Sequence, residues 1–255
     1  MSIIKNEIPI LEFDTAKTAV INPTHEDLNI NLPEKCVFAF LGNYIDQYAL
    51  KTNALQIASF ESATKSYPVY ISKYKEEDIV LCQAPVGAAA AAQLLDWLIG
   101  YGVKKIISAG CCGALKDFAE GTFLIPEKAL RDEGASYHYA PPSRFIDVNI
   151  DARKAIEKTL LSHNLKYQEV ITWSNDGFYR ETKEKVDYRK QEGCSVVEME
   201  CSALCACAAF RDAVFGMILY TADTLSDIEN YDERNWGLNA CEYAFTLCLD
   251  SVINL

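Results

Sequence analysis

Positive charge is scarce in this chain. Its 255 residues include 24 lysines and arginines against 36 aspartates and glutamates, which gives a net charge of −12. Binding to a nucleic-acid backbone or an anionic membrane requires clustered positive side chains that neutralise many phosphates. The charge balance therefore argues against nucleic-acid and membrane partners. It does not exclude a small anionic substrate, because a few local donors are enough to bind one.

Long hydrophobic runs are also missing. The run over residues 84–95 contains Gln93, ends before Asp96 and is too short to cross a bilayer, so we expect no membrane-spanning helix. Residues 1–7 lack the basic start and the apolar run of a secretory signal. We therefore expect a cytoplasmic protein.

Histidine occurs only three times, and no two of the ten cysteines have the Cys-x-x-Cys spacing of a zinc site. Most of the cysteines lie in apolar runs, where a thiol behaves as a small hydrophobic side chain. The sequence therefore predicts no metal site, no cofactor and no disulfide framework. Free thiols agree with a reducing cytoplasm.

Strand and helix patterns alternate along the chain. Apolar segments predict strands over 36–41, 67–73, 78–84, 105–109, 121–126, 167–173, the start of 194–210, and 214–223, and helices over 88–98, 146–164, the end of 194–210, and 238–253. This order predicts an α/β fold in a single domain over residues 1–255, with a mixed, mostly parallel, twisted central sheet flanked by helices. Residues 1–34 contain three prolines and are expected to form an irregular N-terminal arm.

Two acidic residues, Glu198 and Glu200, interrupt the apolar segment 194–210. Buried carboxylates need polar partners, because an unpaired charge in an apolar core is strongly unfavourable. Two interpretations remain open from the residues alone. At a strand end the carboxylates can accept hydrogen bonds from the vicinal hydroxyls of a sugar. Alternatively, Glu198 caps the helix and Glu200 forms a structural ion pair.

Four further signals lie close to predicted strand ends. Gly42 follows the strand 36–41, and Gly110 begins a glycine-rich turn after the strand 105–109, where backbone N–H groups can bind an anion. Phe178 lies on a loop after the strand 167–173, where an aromatic ring could stack on a flat heterocycle or pack in the core. The strand 214–223 ends in Asp223, a further strand-end carboxylate.

These segments resemble motifs of the nucleoside phosphorylase superfamily and occur in the same order along the chain. That superfamily includes purine nucleoside and uridine phosphorylases. It also includes the methylthioadenosine and adenosylhomocysteine nucleosidases. The run Val197-Glu198-Met199-Glu200 is similar to the ribose-binding signature of that superfamily. The resemblance implies that Glu200 holds the ribose hydroxyls, with Met199 beneath the sugar and Glu198 in support.

The same resemblance assigns roles around the base. It implies that Phe178 stacks on the base and that Asp223 is the general acid that protonates it, with Asp227 as a rival for that role. Thr182 and Glu184 stand where uridine phosphorylases have the residues that read uracil. This difference argues against uracil and favours a purine nucleoside.

The implied phosphate site departs from the family pattern. Its counterparts in this chain are Gly42, Ser108, Gly110 and Cys111, but Ser108 and Cys111 replace an arginine and a hydroxyl residue, and no arginine closely follows Gly42. Cysteine is a weak donor, so part of the phosphate clamp is missing. Four other cations could replace it: Lys73, Arg131, Arg144 and Arg180.

On this resemblance we expect a nucleoside phosphorylase that uses phosphate as co-substrate and releases free base and ribose 1-phosphate. The alternatives are a hydrolytic nucleosidase, in which water replaces phosphate, and a non-catalytic nucleoside-binding protein on the same scaffold. The resemblance also implies a homo-oligomer, either a dimer or a hexamer.

Overall fold

A computed structural model describes residues 2–255. Its strands are β1 (Ile3–Ile4), β2 (Phe13–Asp14), β3 (Lys35–Ala39), β4 (Leu55–Glu61), β5 (Ser66–Tyr74), β6 (Glu77–Gln83), β7 (Lys105–Ala114), β8 (Phe123–Asp132), β9 (Phe145–Asp147), β10 (Gln168–Asn175), β11 (Cys194–Glu198) and β12 (Val214–Thr224). Its α-helices are α1 (Tyr44–Lys51), α2 (Ala88–Gly100), α3 (Ile150–Ser162), α4 (Lys183–Gln191), α5 (Cys201–Phe210) and α6 (Cys241–Asn254). No helix within residues 2–255 is long and apolar enough to span a membrane.

The central sheet has the order β11-β10-β8-β12-β7-β3-β6-β5-β4, and β9 pairs with β8. Parallel pairs join β10 to β11 and β8, β12 to β7, and β3 to β6 and β7. Antiparallel pairs join β12 to β8 and link β4, β5 and β6 at the far edge. The sheet is therefore mixed and flanked by helices, and the predicted single α/β domain is confirmed.

One strand closes part of the sheet on itself. Besides its parallel partner β10, β11 pairs antiparallel with the end of β7, with Val196 opposite Ala114 and Val197 opposite Gly113. The five strands β7, β12, β8, β10 and β11 thus form a closed ring of pairings. Closure brings the ends of β7, β11 and β12 to the same place.

The expected glycine-rich turn after Ala109 is wrong. Gly110 to Gly113 continue strand β7, which runs on to Ala114 and pairs with both β12 and β11. Small side chains allow this close approach, since a Cβ on Gly113 would stand 3.0 Å from Val197 Cγ1. The segment therefore contributes a strand wall, with its residues next to the end of β12.

Other boundaries also differ from the predictions. The helix expected over 146–164 begins at Ile150, because Phe145–Asp147 pair with β8 and the Asn149 side chain caps α3 by accepting from Asp151 N and Ala152 N. The helix expected over 238–253 starts as an α-helix at Cys241, after one 3-10 turn. Helices α1 and α4 and strand β4 were not predicted.

The described part of the N-terminal arm contains two short strands, β1 and β2, which pair with each other, and one 3-10 turn at Pro9–Leu11. Seven large apolar side chains in its described part are exposed: Ile3, Ile4, Ile8, Ile10, Val20, Ile21 and Leu28. The arm is held to the domain by the buried side chains of Phe13 and Leu32, and it also presents apolar surface to solvent.

Candidate active site

A cavity of about 170 Å³ opens where β7, β11 and β12 end. Strand β7 provides Gly110 to Gly113, the β11–α5 junction provides Val197 to Glu200, and β12 provides Asp223. The remaining lining residues are Phe40, Val86, Phe178, Glu181, Met217, Ala222 and Trp236. The cavity thus combines acidic groups with apolar and aromatic walls.

Glu198 is saturated by hydrogen bonds from the protein. Its Oε1 accepts from Ser174 Oγ at 2.6 Å and Thr172 Oγ1 at 3.1 Å. Its Oε2 accepts from the backbone N–H groups of Glu200 at 2.7 Å and Cys201 at 2.6 Å. Burial raises the pKa of Glu198, and these four bonds oppose that shift. Glu198 therefore caps the start of α5 and fixes the position of Glu200.

Glu200 has a free oxygen. Its Oε1 accepts from Gly87 N at 2.6 Å, at the start of α2, whereas its Oε2 makes no hydrogen bond within residues 2–255. The alternative of a structural ion pair is wrong, because no cation of the described chain pairs with Glu200. Burial and the nearby Glu198 carboxyl raise the pKa of Glu200 to about 8. An oxygen of this kind is ready to accept hydrogen bonds from a ligand.

Asp223 lies near the end of β12 and is only 7% exposed. Its Oδ2 accepts from Tyr231 Oη at 3.1 Å, and its Oδ1 accepts no hydrogen bond from another residue in the range 2–255. Oδ1 lies 3.3 Å from the position that a Cβ on Gly113 would occupy, so the missing side chain of this cavity residue makes room for the carboxyl. Burial raises the pKa of Asp223, which favours a protonated carboxyl that can act as an acid.

Glu181 and Trp236 are among the lining residues that were not predicted from the sequence. Glu181 follows Phe178 on the loop after β10, its Oε1 accepts from Asn175 Nδ2 at 3.2 Å, and burial raises its pKa to about 7. Trp236 comes from the loop between β12 and α6, with a backbone φ of 54°. Loops place both residues, so no periodic pattern could have identified them. The one local signal for Glu181 was its position three residues after Phe178.

The site residues predicted from the sequence fall into two groups. Those assigned to ribose and base, namely Glu198, Met199, Glu200, Phe178 and Asp223, all line the cavity, as do Gly110 and Cys111 from the phosphate assignment. Gly42 and Ser108 do not line it. Ser108 is fully buried with an unpaired hydroxyl, and Gly42 lies at the surface with a φ of 58°. The rival acid Asp227 is exposed, and its carboxylate accepts from Glu229 N and Asn230 Nδ2.

Within the described range, the cavity lining contains no lysine, arginine or histidine. Of the four candidate cations, Arg131 is buried and donates to Ser136, Ala140, Pro141 and Ser143, and Arg144 pairs with Glu192. Lys73 and Arg180 are also absent from the lining. The described cavity lining therefore carries acidic groups and no cation, while Arg234 lowers the pKa of Asp223 from outside the lining.

Cys111 is the one cysteine whose side chain is exposed, and the cavity is where it becomes accessible. Desolvation of the thiol inside the cavity and the charge of Asp223 raise the pKa of Cys111 to about 11. A neutral thiol of this kind is a weak hydrogen-bond donor and a poor nucleophile.

Fold and cavity together define the class: an α/β domain with a cavity at strand ends, lined by carboxyl groups that can bind hydroxyls and by aromatic rings that can hold a flat heterocycle. The chain belongs to the phosphorylase superfamily, whose family model matches residues 36–254. The resemblance inferred from the motifs is thereby confirmed.

Relatives within this superfamily differ in reaction. The chain is 26% identical over 155 residues to a guanosine phosphorylase of Halorubrum lacusprofundi, covering 60% of this chain and 64% of the relative. It is 30% identical over 155 residues to a 5'-methylthioadenosine/S-adenosylhomocysteine nucleosidase of Buchnera aphidicola, covering 56% of this chain and 66% of the relative. These matches span just under two thirds of the relatives' lengths.

Solved structures share the fold at low identity. A uridine phosphorylase from Vibrio fischeri superposes with a TM-score of 0.74 at 22% identity, covering 88% of this chain and 93% of that one. An AMP nucleosidase from Bacteroides thetaiotaomicron gives 0.70 at 21%, covering 87% and 88%. These likenesses show that the chain shares the fold of those enzymes. The superfamily to which the family model assigns the chain includes relatives named as phosphorylases and as nucleosidases.

Proposed function

We propose that this chain is a hydrolytic nucleosidase, which cleaves the N-glycosidic bond of a purine nucleoside with water in place of phosphate. The observation that carries the proposal is the composition of the cavity: three carboxyl groups with an unpaired or cavity-facing oxygen, from Glu181, Glu200 and Asp223, and no cation among the described lining residues. The phosphorolysis expected from the sequence needs a site for a dianion at the same place.

Electrostatics favours water over phosphate here. Phosphate is disfavoured beside these carboxyl groups, because no arginine or lysine of the described lining would compensate the negative charge that phosphate brings and that the carboxyls acquire on ionisation. The transition state of glycosidic cleavage has the opposite charge, because the sugar becomes oxocarbenium-like. Carboxylates beside the sugar stabilise that positive charge. The same groups that repel phosphate therefore favour bond cleavage followed by capture of water.

In the proposed mechanism Glu200 accepts hydrogen bonds from the ribose hydroxyls through its free Oε2, and Met199 supports the sugar. Phe178 packs against the base. Protonated Asp223 donates its proton to the base nitrogen N7 while the bond from the sugar C1′ to the base breaks, and the bonding electrons leave with the base. Water then adds to C1′ and releases one proton, which restores the Asp223 carboxyl.

The experiment that tests the reaction type measures base release from inosine, adenosine, methylthioadenosine and uridine, each with and without added phosphate in a phosphate-free buffer. We expect base and free sugar from one of the purine nucleosides without phosphate, and no release from uridine. Asp223→Asn prepared in parallel should lose the activity, which excludes a contaminating nucleosidase. Release that requires phosphate and yields a sugar 1-phosphate would refute hydrolysis and establish a phosphorylase.

We also propose that the chain is a cytoplasmic homo-oligomer. All ten cysteines are free, which agrees with a reducing compartment. The exposed apolar side chains of the N-terminal arm, such as Ile8 and Ile21, form surface that association would cover. A monomeric mass in light scattering at micromolar concentration would contradict the oligomer.

A further inference from the structure

The segment from Leu225 to Gly237 connects β12 to the last helix and passes beside the cavity. It is fixed at both ends: Thr224 and Asp232 form a bridge, with Thr224 N donating to Asp232 O at 2.9 Å. Glu120 Oε1 accepts from Asn235 N at 3.1 Å and Gly237 N at 3.0 Å. Between these anchors, the chain returns towards the end of β12.

This return places the Tyr231 hydroxyl 3.1 Å from Asp223 Oδ2. Tyr231 is about half exposed and does not belong to the cavity lining, so it reaches the carboxyl from outside the cavity. The other oxygen, Oδ1, lies next to Gly113, which does line the cavity. The two oxygens of Asp223 therefore have different surroundings, one held by a protein donor and one turned to the substrate space.

We propose that Tyr231 is a positioning residue for Asp223. The Tyr231 hydroxyl donates to Oδ2 of Asp223 and so keeps the acidic proton on Oδ1, where a bound base can receive it. A carboxylic acid has one protonated and one carbonyl-like oxygen, and a hydroxyl donor selects the carbonyl-like role for the oxygen it bonds. The inference rests on the proposed function, since it concerns the group to which we assign proton donation.

The hydrogen bond has a second effect, on the acidity of the group. A donor stabilises the ionised carboxylate, so it lowers the pKa of Asp223 and partly offsets the increase caused by burial. The groups that face this carboxyl are Tyr231 and Arg234 from the same segment, Glu181 from the loop after β10, and Cys111 and Cys112 from β7. Of these, only Tyr231 is a hydrogen-bond donor from another residue to the carboxyl.

The test is Tyr231→Phe in the full chain, which removes the hydroxyl and keeps the ring. We expect kcat on the acid side of the pH profile to fall about 5- to 20-fold with KM for the nucleoside nearly unchanged. The alkaline limb, where Asp223 loses its proton, should move to higher pH by about 0.5 to 1 unit because the carboxylate has lost a donor. The control is Tyr188→Phe, because Tyr188 has a similar exposure but its hydroxyl lies near Arg144. This variant should change neither kcat nor the position of the alkaline limb.

Two further measurements separate this inference from the proposed function. In an Asp223→Asn background, Tyr231→Phe should have no additional effect on residual turnover, since its role acts through that carboxyl. Titration of ¹³C-labelled aspartate by NMR, with Asp223→Asn to assign the signal, should show the Asp223 pKa raised by Tyr231→Phe whether or not nucleoside is cleaved. An unmoved pKa or an unmoved alkaline limb would overturn the positioning role. A wild-type protein without any nucleoside cleavage would instead overturn the function, and the catalytic part of this inference with it.

Discussion

Nucleoside binding should become tighter as pH rises, through the ionisation of Glu200. Burial and the Glu198 carboxyl raise the pKa of Glu200 to about 8, so in the free protein at neutral pH this carboxyl is mostly protonated. The ionised form is the better acceptor for two vicinal hydroxyls, because hydrogen bonds to a charged group are stronger. Binding through the sugar should therefore lower this pKa and release a proton, which means that affinity increases with pH.

The size of the effect follows from the pKa. A group with a pKa of about 8 is ionised to about 1% at pH 6, about 9% at pH 7 and about 91% at pH 9. If only the ionised form binds well, the apparent Kd is the intrinsic Kd divided by that fraction. Apparent affinity should then rise about 90-fold from pH 6 to pH 9, with most of the increase below pH 8.

The assay is calorimetric titration of a purine nucleoside into Asp223→Asn, in which turnover is suppressed, between pH 6 and pH 9. The matched control adds Glu200→Gln to that variant, because glutamine keeps the shape but cannot ionise. The double variant should bind the nucleoside with a larger Kd that is almost independent of pH. Any pH dependence of its Kd that remains belongs to Glu181, whose pKa is about 7. The free base, which has no ribose hydroxyls, should show little pH dependence. A Kd of the single variant that is flat or increases with pH would refute the assignment of Glu200 to the sugar.

Three other substitutions test the site. Asp223→Asn should lower kcat by about 10²-fold or more with an unchanged melting temperature, and near-normal purine release would remove this carboxyl from the mechanism. Glu198→Gln should reduce the free energy of unfolding by about 2 to 4 kcal/mol in urea denaturation, because two of the four donors to Glu198 would face an amide NH₂ group. A loss below the error of the measurement would contradict the capping role of Glu198. Gly113→Ala should lower kcat/KM, since the new Cβ would stand 3.0 Å from Leu225 Cδ1 and 3.3 Å from Asp223 Oδ1. Wild-type kinetics in this variant would show that the Asp223 carboxyl does not need the space left by the missing side chain of Gly113.

Local patterns were enough to predict the elements that hold most of the site. The strand that ends in Asp223 is a continuous apolar run, and its observed bounds, Val214–Thr224, agree with the prediction to within one residue. The junction after β11 combines β-branched residues with a following run of small residues, and both elements form there. These segments are buried on all sides, so tertiary packing and local propensity favour the same structure.

Elements whose structure depends on distant partners were not predicted. Gly110 to Gly113 favour a turn locally, but pairing with β11 and β12 extends them as strand. Helix α4 is mainly charged, with Val186 and Arg189 as its buried residues, so it has no apolar periodicity to detect. Glu181 and Trp236 reach the cavity on loops whose course is set by anchors elsewhere, such as Glu120 for the segment before Gly237. These contacts leave no periodic pattern in the local sequence.

The two glutamates of the β11–α5 junction show why residue types alone could not separate structural from functional carboxylates. Glu198 and Glu200 are two residues apart and both are about 5% exposed, yet four protein donors occupy the first and one occupies the second. The difference arises because the start of α5 turns its free N–H groups towards Glu198, while Glu200 passes beyond them to the start of α2. A buried carboxyl with an unoccupied oxygen is unfavourable in the empty protein and is stabilised when a ligand supplies hydroxyl donors. Asp223, with its free Oδ1, has the same property, and both free oxygens belong to residues of one cavity, so a ligand that donates to both would stabilise the two groups together.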